Sequence, residues 1–230
     1  MMRWIAKTSI LSIRPYQTID RQVLMKIASD TAFFGKPIEI YLDDRTLFQD
    51  SFFAYYTDFE SQNAWIATAD DIVVGFLTGC LNTREQIRIT KEVLYPKVIL
   101  KLLGGKYKVG KKTWAYYKKL NREKREKRIA RVNLNLFPAH LHINVDHQWR
   151  GYGIGHRLIQ IYLDQLQRAG IPGVHLGTTS ENEAACHLYE QNGFKLLESM
   201  PTFQWTEFID HPVESRLYGL ILPESAATQE

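Results

Sequence analysis

Hydrophobic and polar positions change their rhythm several times along the chain, and each change marks an element. Ser9 to Arg14 predicts a short first strand, ended by Pro15. Thr18 or Asp20 can cap a helix running to about Asp30, with Val23, Leu24 and Ile27 on its inner face. Gly35 and Pro37 punctuate, and a second, aromatic-rich helix is predicted from Asp44 to Tyr56. Ala64 to Ala69 and Ile72 to Cys80 read as a β-hairpin around Asp70-Asp71. Helical sequence in two pieces follows, broken at Gly104-Gly105. In the first piece Pro96 suits an opening turn, and Val98, Ile99, Leu102 and Leu103 share one face. The second piece ends in a solvated charged run, Asn121 to Arg128, and Pro138 closes the segment.

Beyond Pro138 the pattern is firmer. Ala139 to Val145 is a predicted strand. Gly151 to Ala169 is a helix with Ile154, Leu158, Tyr162 and Leu166 near one face, stopped by Gly170. Gly173 to Gly177 predicts another strand, and Glu183 to Gln191 a helix closed by Gly193. Phe194 to Glu198 and Arg216 to Leu222 predict the last strands, and 224–230 a frayed tail. Strands and helices interleave without internal repeats, so the class is α/β.

Composition narrows the function classes. The 230 residues are 45% hydrophobic and 12% aromatic, enough for a sizeable core. No apolar run approaches the roughly 20 residues of a membrane span. Met1 to Ile13 lacks the continuous apolar stretch of a secretory signal, and the expected location is cytoplasmic. Cys80 and Cys186 lie far apart, fit no metal-ligand spacing and are expected as buried thiols; no metal is expected. The net charge of +4 conceals an asymmetry. Residues 84–131 hold 17 Lys/Arg against 4 Asp/Glu, while the remainder holds 12 against 21. A single domain, 1–230, with a helical basic insertion at 84–131 describes this best.

Candidate chemistry centres on His142 to Leu158. A strand runs into Gln148-Trp149-Arg150-Gly151-Tyr152-Gly153-Ile154-Gly155, where a helix begins. Glycines at alternate positions leave backbone N–H groups unshielded at the positive end of a helix dipole, an anion site suited to a pyrophosphate. The structural alternative is a plain glycine turn. A dinucleotide fingerprint would need glycine where His156 stands. A P-loop would need Gly-Lys-Ser/Thr, and Gly105-Lys106 is followed by Tyr107.

Gln148-x-x-Gly151-x-Gly153 resembles the Q/R-x-x-G-x-G/A motif of the GCN5-related N-acetyltransferases (GNAT). Asn182-x-x-Ala185-x-x-Leu188-Tyr189, leading to Gly193-Phe194, is similar to that family's second signature. The likeness is strong over 139–198, looser over 9–80 and 199–222, and leaves 84–131 unexplained. His140-Leu-His-Ile-Asn-Val145 also resembles the acetyltransferase-like domain of O-GlcNAcase. His147 departs from the family, which often has proline there.

The resemblance implies a GNAT fold, with a mixed, mostly antiparallel sheet flanked by helices. It implies acetyl-CoA as acetyl donor and a small-molecule or peptide amine as acceptor. Amides from Arg150 through Gly151, Tyr152, Gly153 and Ile154 to Gly155 would hold the pyrophosphate, with Gln148 opening the motif. Ile143 and Val145 would lie along the pantetheine arm, Asn182 would hydrogen-bond it, and Tyr189 would protonate the departing thiolate. A phenol suits that task because it is protonated at neutral pH. The alternative for Tyr189 is a ring packed into the core.

The general base is open. His140 and His142 share one strand face, opposite Leu141, Ile143 and Val145. His142 lies close to the expected acetyl position and has a suitable ordinary pKa. Asn144 could orient an acceptor. Glu60, Asp146 or a water chain are the alternatives to His142, which could also be a structural histidine. Phe52-Phe53 and Tyr55-Tyr56 are expected in the core rather than in an acceptor pocket. The basic insertion reads as an amphipathic lid near the acceptor. Its interleaved cations and aromatics also fit nucleic acid, which would make the chain a non-catalytic CoA- or anion-binding module.

Overall fold

Two acidic residues in the left-handed region, Asp70 (φ 46°) and Asp71 (φ 66°), make the tight turn that organises the first half of the sheet. They join β2 (Ala64–Ala69) to β3 (Ile72–Cys80) in antiparallel register. The structure is a computed structural model that describes residues 9–223 apart from 127 and 129. The tail predicted at 224–230 lies outside the described residues.

Around the hairpin, β1 (Leu11–Pro15), β4 (Ala139–Val145), β5 (Gly173–Thr179), β6 (Lys195–Thr202) and β7 (Val213–Ile221) complete one seven-stranded sheet. Its order is β1-β2-β3-β4-β5-β7-β6. Only β4 and β5 run parallel; the other neighbours are antiparallel. Alternation along the strands feeds two cores. Ile66, Phe76 and Cys80 face one side, and Ala67, Leu77 and Leu141 the other.

The first core is covered by α1 (Arg21–Asp30) and the aromatic segment after it. Leu24, Met25, Ile27 and Ala28 of α1 are buried, whereas Val23, expected on that face, is 38% exposed. The long helix expected at 44–56 is two, α2 (Arg45–Phe52) and α3 (Ala54–Asp58), hinged at Phe53. Asp44 caps α2, accepting from the Leu47 amide at 2.7 Å.

The basic segment is helical. α4 (Thr83–Ile89) runs through a wider π-type turn at Thr90–Leu94 into α5 (Tyr95–Leu103). Pro96 stands in the first turn of α5, as expected, but that helix follows directly from the π-type turn. Proline has no N–H to give, and the wide turn immediately before it is where a continuous helix absorbs the missing bond. The apolar face shared by Ile99, Leu102 and Leu103 points to solvent, these residues being 52%, 43% and 80% exposed. Docking uses the neighbouring face, where Leu94 is buried and Lys101 pairs with Asp50 of α2 at 2.7 Å.

The second piece is α6 (Lys111–Arg125), and acidic residues outside the segment fasten its start. Asp43 accepts from the Gly110 amide, the Thr113 amide and the Thr113 hydroxyl at 2.8–2.9 Å, capping the helix from across space. At the other end Glu123, almost fully buried, accepts from the Phe203 amide at 2.7 Å and from the Thr202 hydroxyl.

The second core lies under α7 (Ile154–Arg168) and α8 (Glu183–Gln191). Leu158, Ile159, Tyr162 and Leu166 of α7 are fully buried. Among the described residues no helix is long and apolar enough to cross a membrane.

Candidate active site

A break in the sheet makes the site. Against β3, β4 pairs from Cys80↔His140 through to Gly75↔Val145. Against β5 it pairs only at Ala139↔Val174 and His140↔His175. Beyond His140 the two strands part, and the β4 edge over 141–145 carries peptide groups without strand partners. Two cavities open into this gap, one of about 460 Å³ and one of about 290 Å³. Thr31, Ile143, Asn144, Asn182 and Tyr189 line both.

Backbone builds the first cavity. Gly151 (φ 82°) and Gly153 (φ 74°) hold left-handed conformations that turn the chain from β4 into α7. Gly153 is the N-cap residue of α7, so no side chain caps the helix, and a Cβ at either glycine would meet nothing within 4 Å. The positive end of a 15-residue helix thus faces open space in this cavity. Gly155 has a different cause: a Cβ there would fall 2.9 Å from Leu188 Cδ2, so its absence lets α7 and α8 approach.

Arg150 lines the cavity, its Nε–H donating to the Val145 carbonyl at 3.3 Å. Ile143, Val145, Ile154 and Asn182 also line it. Asn182 stands at the N-cap of α8 without the side-chain cap that asparagine usually supplies there. Gln148 and Tyr152 stand off the cavity wall. Tyr152 packs against Trp149 (centroids 6.1 Å), and it is Trp149 that reaches the cavity.

Side chains build the second cavity, and an ordered chain of hydrogen bonds runs behind its His142. The Thr83 hydroxyl donates to the Pro138 carbonyl at 2.7 Å, so toward His140 Nδ1, also 2.7 Å away, it must accept. His140 therefore carries its hydrogen on Nδ1, and its Nε2 accepts from the Tyr56 hydroxyl at 2.6 Å. That hydroxyl in turn accepts from His142 Nε2–H at 2.9 Å. The Nδ1 lone pair of His142 is left without a partner among the described residues, on a side chain exposed to the cavity.

Burial, then the neighbouring His142 and His175, hold His140 well below the ordinary histidine pKa. Burial and His175 push His142 down to about 4. The open cavity at its exposed edge works against that depression. Both rings are neutral at neutral pH, as the hydrogen-bond directions require.

Tyr189 touches both cavities from α8. Burial raises its phenol pKa, so it stays protonated, and its hydroxyl has no hydrogen-bond partner among the described residues. Asn144 donates to the Thr31 hydroxyl at 2.7 Å. The other candidate bases lie elsewhere. Asp146 caps the 147–149 turn through the Gln148 amide, and Glu60 sits beside Cys80 and Tyr55, off both cavities. The expectation for the aromatic pairs divides. Tyr55, Tyr56 and Phe53 are core, Phe53 also lining the second cavity, whereas Phe52 is 40% exposed and lines that cavity.

Comparison with known proteins places this arrangement. Residues 111–194, from α6 through α8 and its closing Gly193-Phe194, match the acetyltransferase (GNAT) family. That stretch, and not the rest of the chain, carries the sequence likeness to the family. A mycothiol acetyltransferase of Nocardiopsis dassonvillei is 42% identical over 57 residues, 25% of this chain and 17% of that protein. N-alpha-acetyltransferase 30 of Saccharomyces cerevisiae is 39% identical over 79 residues, 34% of this chain and 41% of that protein. The chain thus spans less than half the length of these curated relatives.

Among solved structures the fold is shared with SsHAT, at TM-score 0.71 and 24% identity, covering 93% of this chain and 99% of that one. It is shared also with yncA of Salmonella typhimurium, a putative acetyltransferase with its cofactor acetyl-CoA (TM-score 0.54, 15% identity, covering 94% and 96%). Sequence reasoning missed Thr31 at the first cavity and Tyr56 behind His142, and gave no role to Trp149 and Leu188, which stand inside the two motifs and line the first cavity. The residue after each motif glycine was a legible signal for His156, which lines the first cavity; nothing local marks Thr31 or Tyr56.

Proposed function

We propose that the protein is an acetyl-CoA-dependent N-acetyltransferase that transfers the acetyl group directly to an amine held in the second cavity. The observation that carries this reading is the meeting of a backbone-built and a side-chain-built cavity at Thr31, Ile143, Asn144, Asn182 and Tyr189. The residues present fit acetyl-CoA. The uncapped helix end behind Gly151 and Gly153 suits its pyrophosphate, and the unpaired β4 edge at Ile143 and Val145 suits an extended amide-bearing arm. When bound, acetyl-CoA supplies an acetyl group activated as a thioester.

The chain's own residues supply the rest. Asn182, free of a capping bond, orients the arm. Tyr189 holds a proton at its hydroxyl for the thiolate leaving group. His142 offers its Nδ1 lone pair to the acceptor's N–H. The imidazole is weakly basic, but the nitrogen's own acidity climbs as it gives its lone pair to carbon, so the proton can move at that stage. Tyr56 and His140 act behind it, fixing which imidazole nitrogen carries the hydrogen. Holding donor and acceptor at one junction removes much of the entropy of their encounter.

The test is acetyl-CoA-dependent release of CoA with pooled primary amines, beside the melting temperature with acetyl-CoA alone. His142→Gln should lower kcat by about 10²-fold, the low end for general base catalysis, and leave the acetyl-CoA shift intact. Stabilisation by acetyl-CoA without turnover of any amine would make the domain a CoA-binding module.

A further inference from the structure

We infer that the acceptor is a small primary amine with one positive charge and a neutral, aromatic-sized body; this rests on the acetyltransferase reading above. The second cavity has no Asp, Glu, Lys or Arg among the described residues that line it. Its outer walls are rings: Phe34, Phe48, Phe52, Phe53, Tyr116 and Trp205. These are fixed by one another. Trp205 meets Phe34 edge-on at 5.2 Å and Tyr41 at 5.1 Å, and Phe53 meets Phe48 at 5.6 Å. Neutral polar groups lie at the junction of the cavities, at Asn144 and Asn182, and on the adjoining strands, at His142, Thr178 and Thr179. The space is amphipathic along its length, polar at the reacting end and aromatic beyond it.

Three consequences define the ligand. A volume of about 290 Å³ lies at the bottom of the range for drug-sized ligands, about 300–1,000 Å³, and suits one ring on a short chain. Ring faces and neutral polar groups can hold a single ammonium, and its desolvation favours the uncharged, nucleophilic amine. A second charge of either sign would be buried without a counter-ion, which costs far more than it returns. The setting of the mouth adds to the discrimination. Tyr116 comes from α6, whose exposed surface carries Lys111, Lys112 and Lys118, so polycations are also repelled on approach.

The experiment compares 2-phenylethylamine, spermidine and a short peptide beginning with phenylalanine. CoA release is followed at fixed acetyl-CoA, and the melting temperature is measured with each amine alone and with acetyl-CoA alone. 2-Phenylethylamine should exceed both competitors in kcat/KM by about 10-fold or more, since a mismatched polar group in an apolar pocket costs at least that. It should also be the amine that raises the melting temperature without acetyl-CoA. Phe52→Asp, at a position 40% exposed, should shift the ratio toward spermidine by about 10-fold. Equal or better turnover of spermidine or the peptide would overturn the inference and leave the acetyltransferase reading standing. So would acetyl-CoA stabilisation with no turnover of 2-phenylethylamine. Neither acetyl-CoA stabilisation nor CoA release with any amine would overturn both.

Discussion

The two cavities that meet at Tyr189 are built from opposite materials. The first is made of main chain: two left-handed glycines, an uncapped helix end and a strand edge without a partner. The second is made of side chains from well-separated stretches of the chain, running from Ala28 of α1 to Trp205 before β7. Main-chain sites suit what is constant, on the proposed reading a phosphate chain and an amide arm. Side-chain sites bind what is variable. The comparison teaches that one domain can keep its donor site on local geometry while its acceptor site is free to change with the packing of distant segments.

The comparison breaks most sharply at Gly153. Gly153→Val places a branched side chain in the space the loop leaves open, and should erase the stabilisation by acetyl-CoA. At about 100 times Kd that stabilisation is about 2.7 kcal/mol. Melting curves with and without ligand check this, and an unchanged shift in folded protein would refute the loop assignment. Acceptor affinity, measured separately with the amine alone, should persist.

Tyr189 belongs to both cavities, and its loss should affect the chemistry more than either binding event. Tyr189→Phe should lower kcat by about 10²-fold with little change in acetyl-CoA affinity. Steady-state kinetics under conditions where chemistry limits the rate decide it. A preserved kcat would leave the ring a packing residue and the two cavities without a shared acid.

A smaller effect, confined to the side-chain cavity, is expected at the helical insertion. Tyr116→Ala should raise the acceptor KM by about 10-fold through lost apolar contact, and leave the acetyl-CoA shift in place. A loss of acetyl-CoA binding would show that the insertion also reaches the donor side.

The smallest effect is a pH dependence. His140 and His142 titrate lower in the folded chain than at about 6.5, the ordinary value for a free histidine. Between that value and about 4 the unfolded chain binds protons that folded His142 refuses, so stability falls as pH falls through this window. It is fully present above about 6.5. Denaturant midpoints across pH 4–8 should show the decline, and His142→Gln should flatten part of it.

The same division explains what could be read in advance. The glycine turn into α7 and the places of Asn182 and Tyr189 at the start and on the inner side of α8 were legible because glycine spacing and helix phase are local properties, visible within a dozen residues. The hairpin at Asp70-Asp71 was legible for the same reason. The outward turn of Ile99, Leu102 and Leu103 was not, because periodicity shows a face and not what it meets. The partner here is an ion pair from Lys101 to Asp50, 51 residues away. Tyr56 illustrates the limit best. Its ring is ordinary core aromatic in sequence, and only the register of β4 against β3 brings two histidines to its hydroxyl.

The short parallel pairing of β4 with β5 has a mechanical consequence. Two residue pairs are all that stitch strands 1–4 to strands 5–7, so the sheet is two slabs meeting along a seam that is closed at one end and open at the other. A molecule laid along the open part would act as an eighth strand and weld the slabs. Occupancy should then be felt far from any contact, as slower amide hydrogen exchange in β5 and β7, on the far side of the weld.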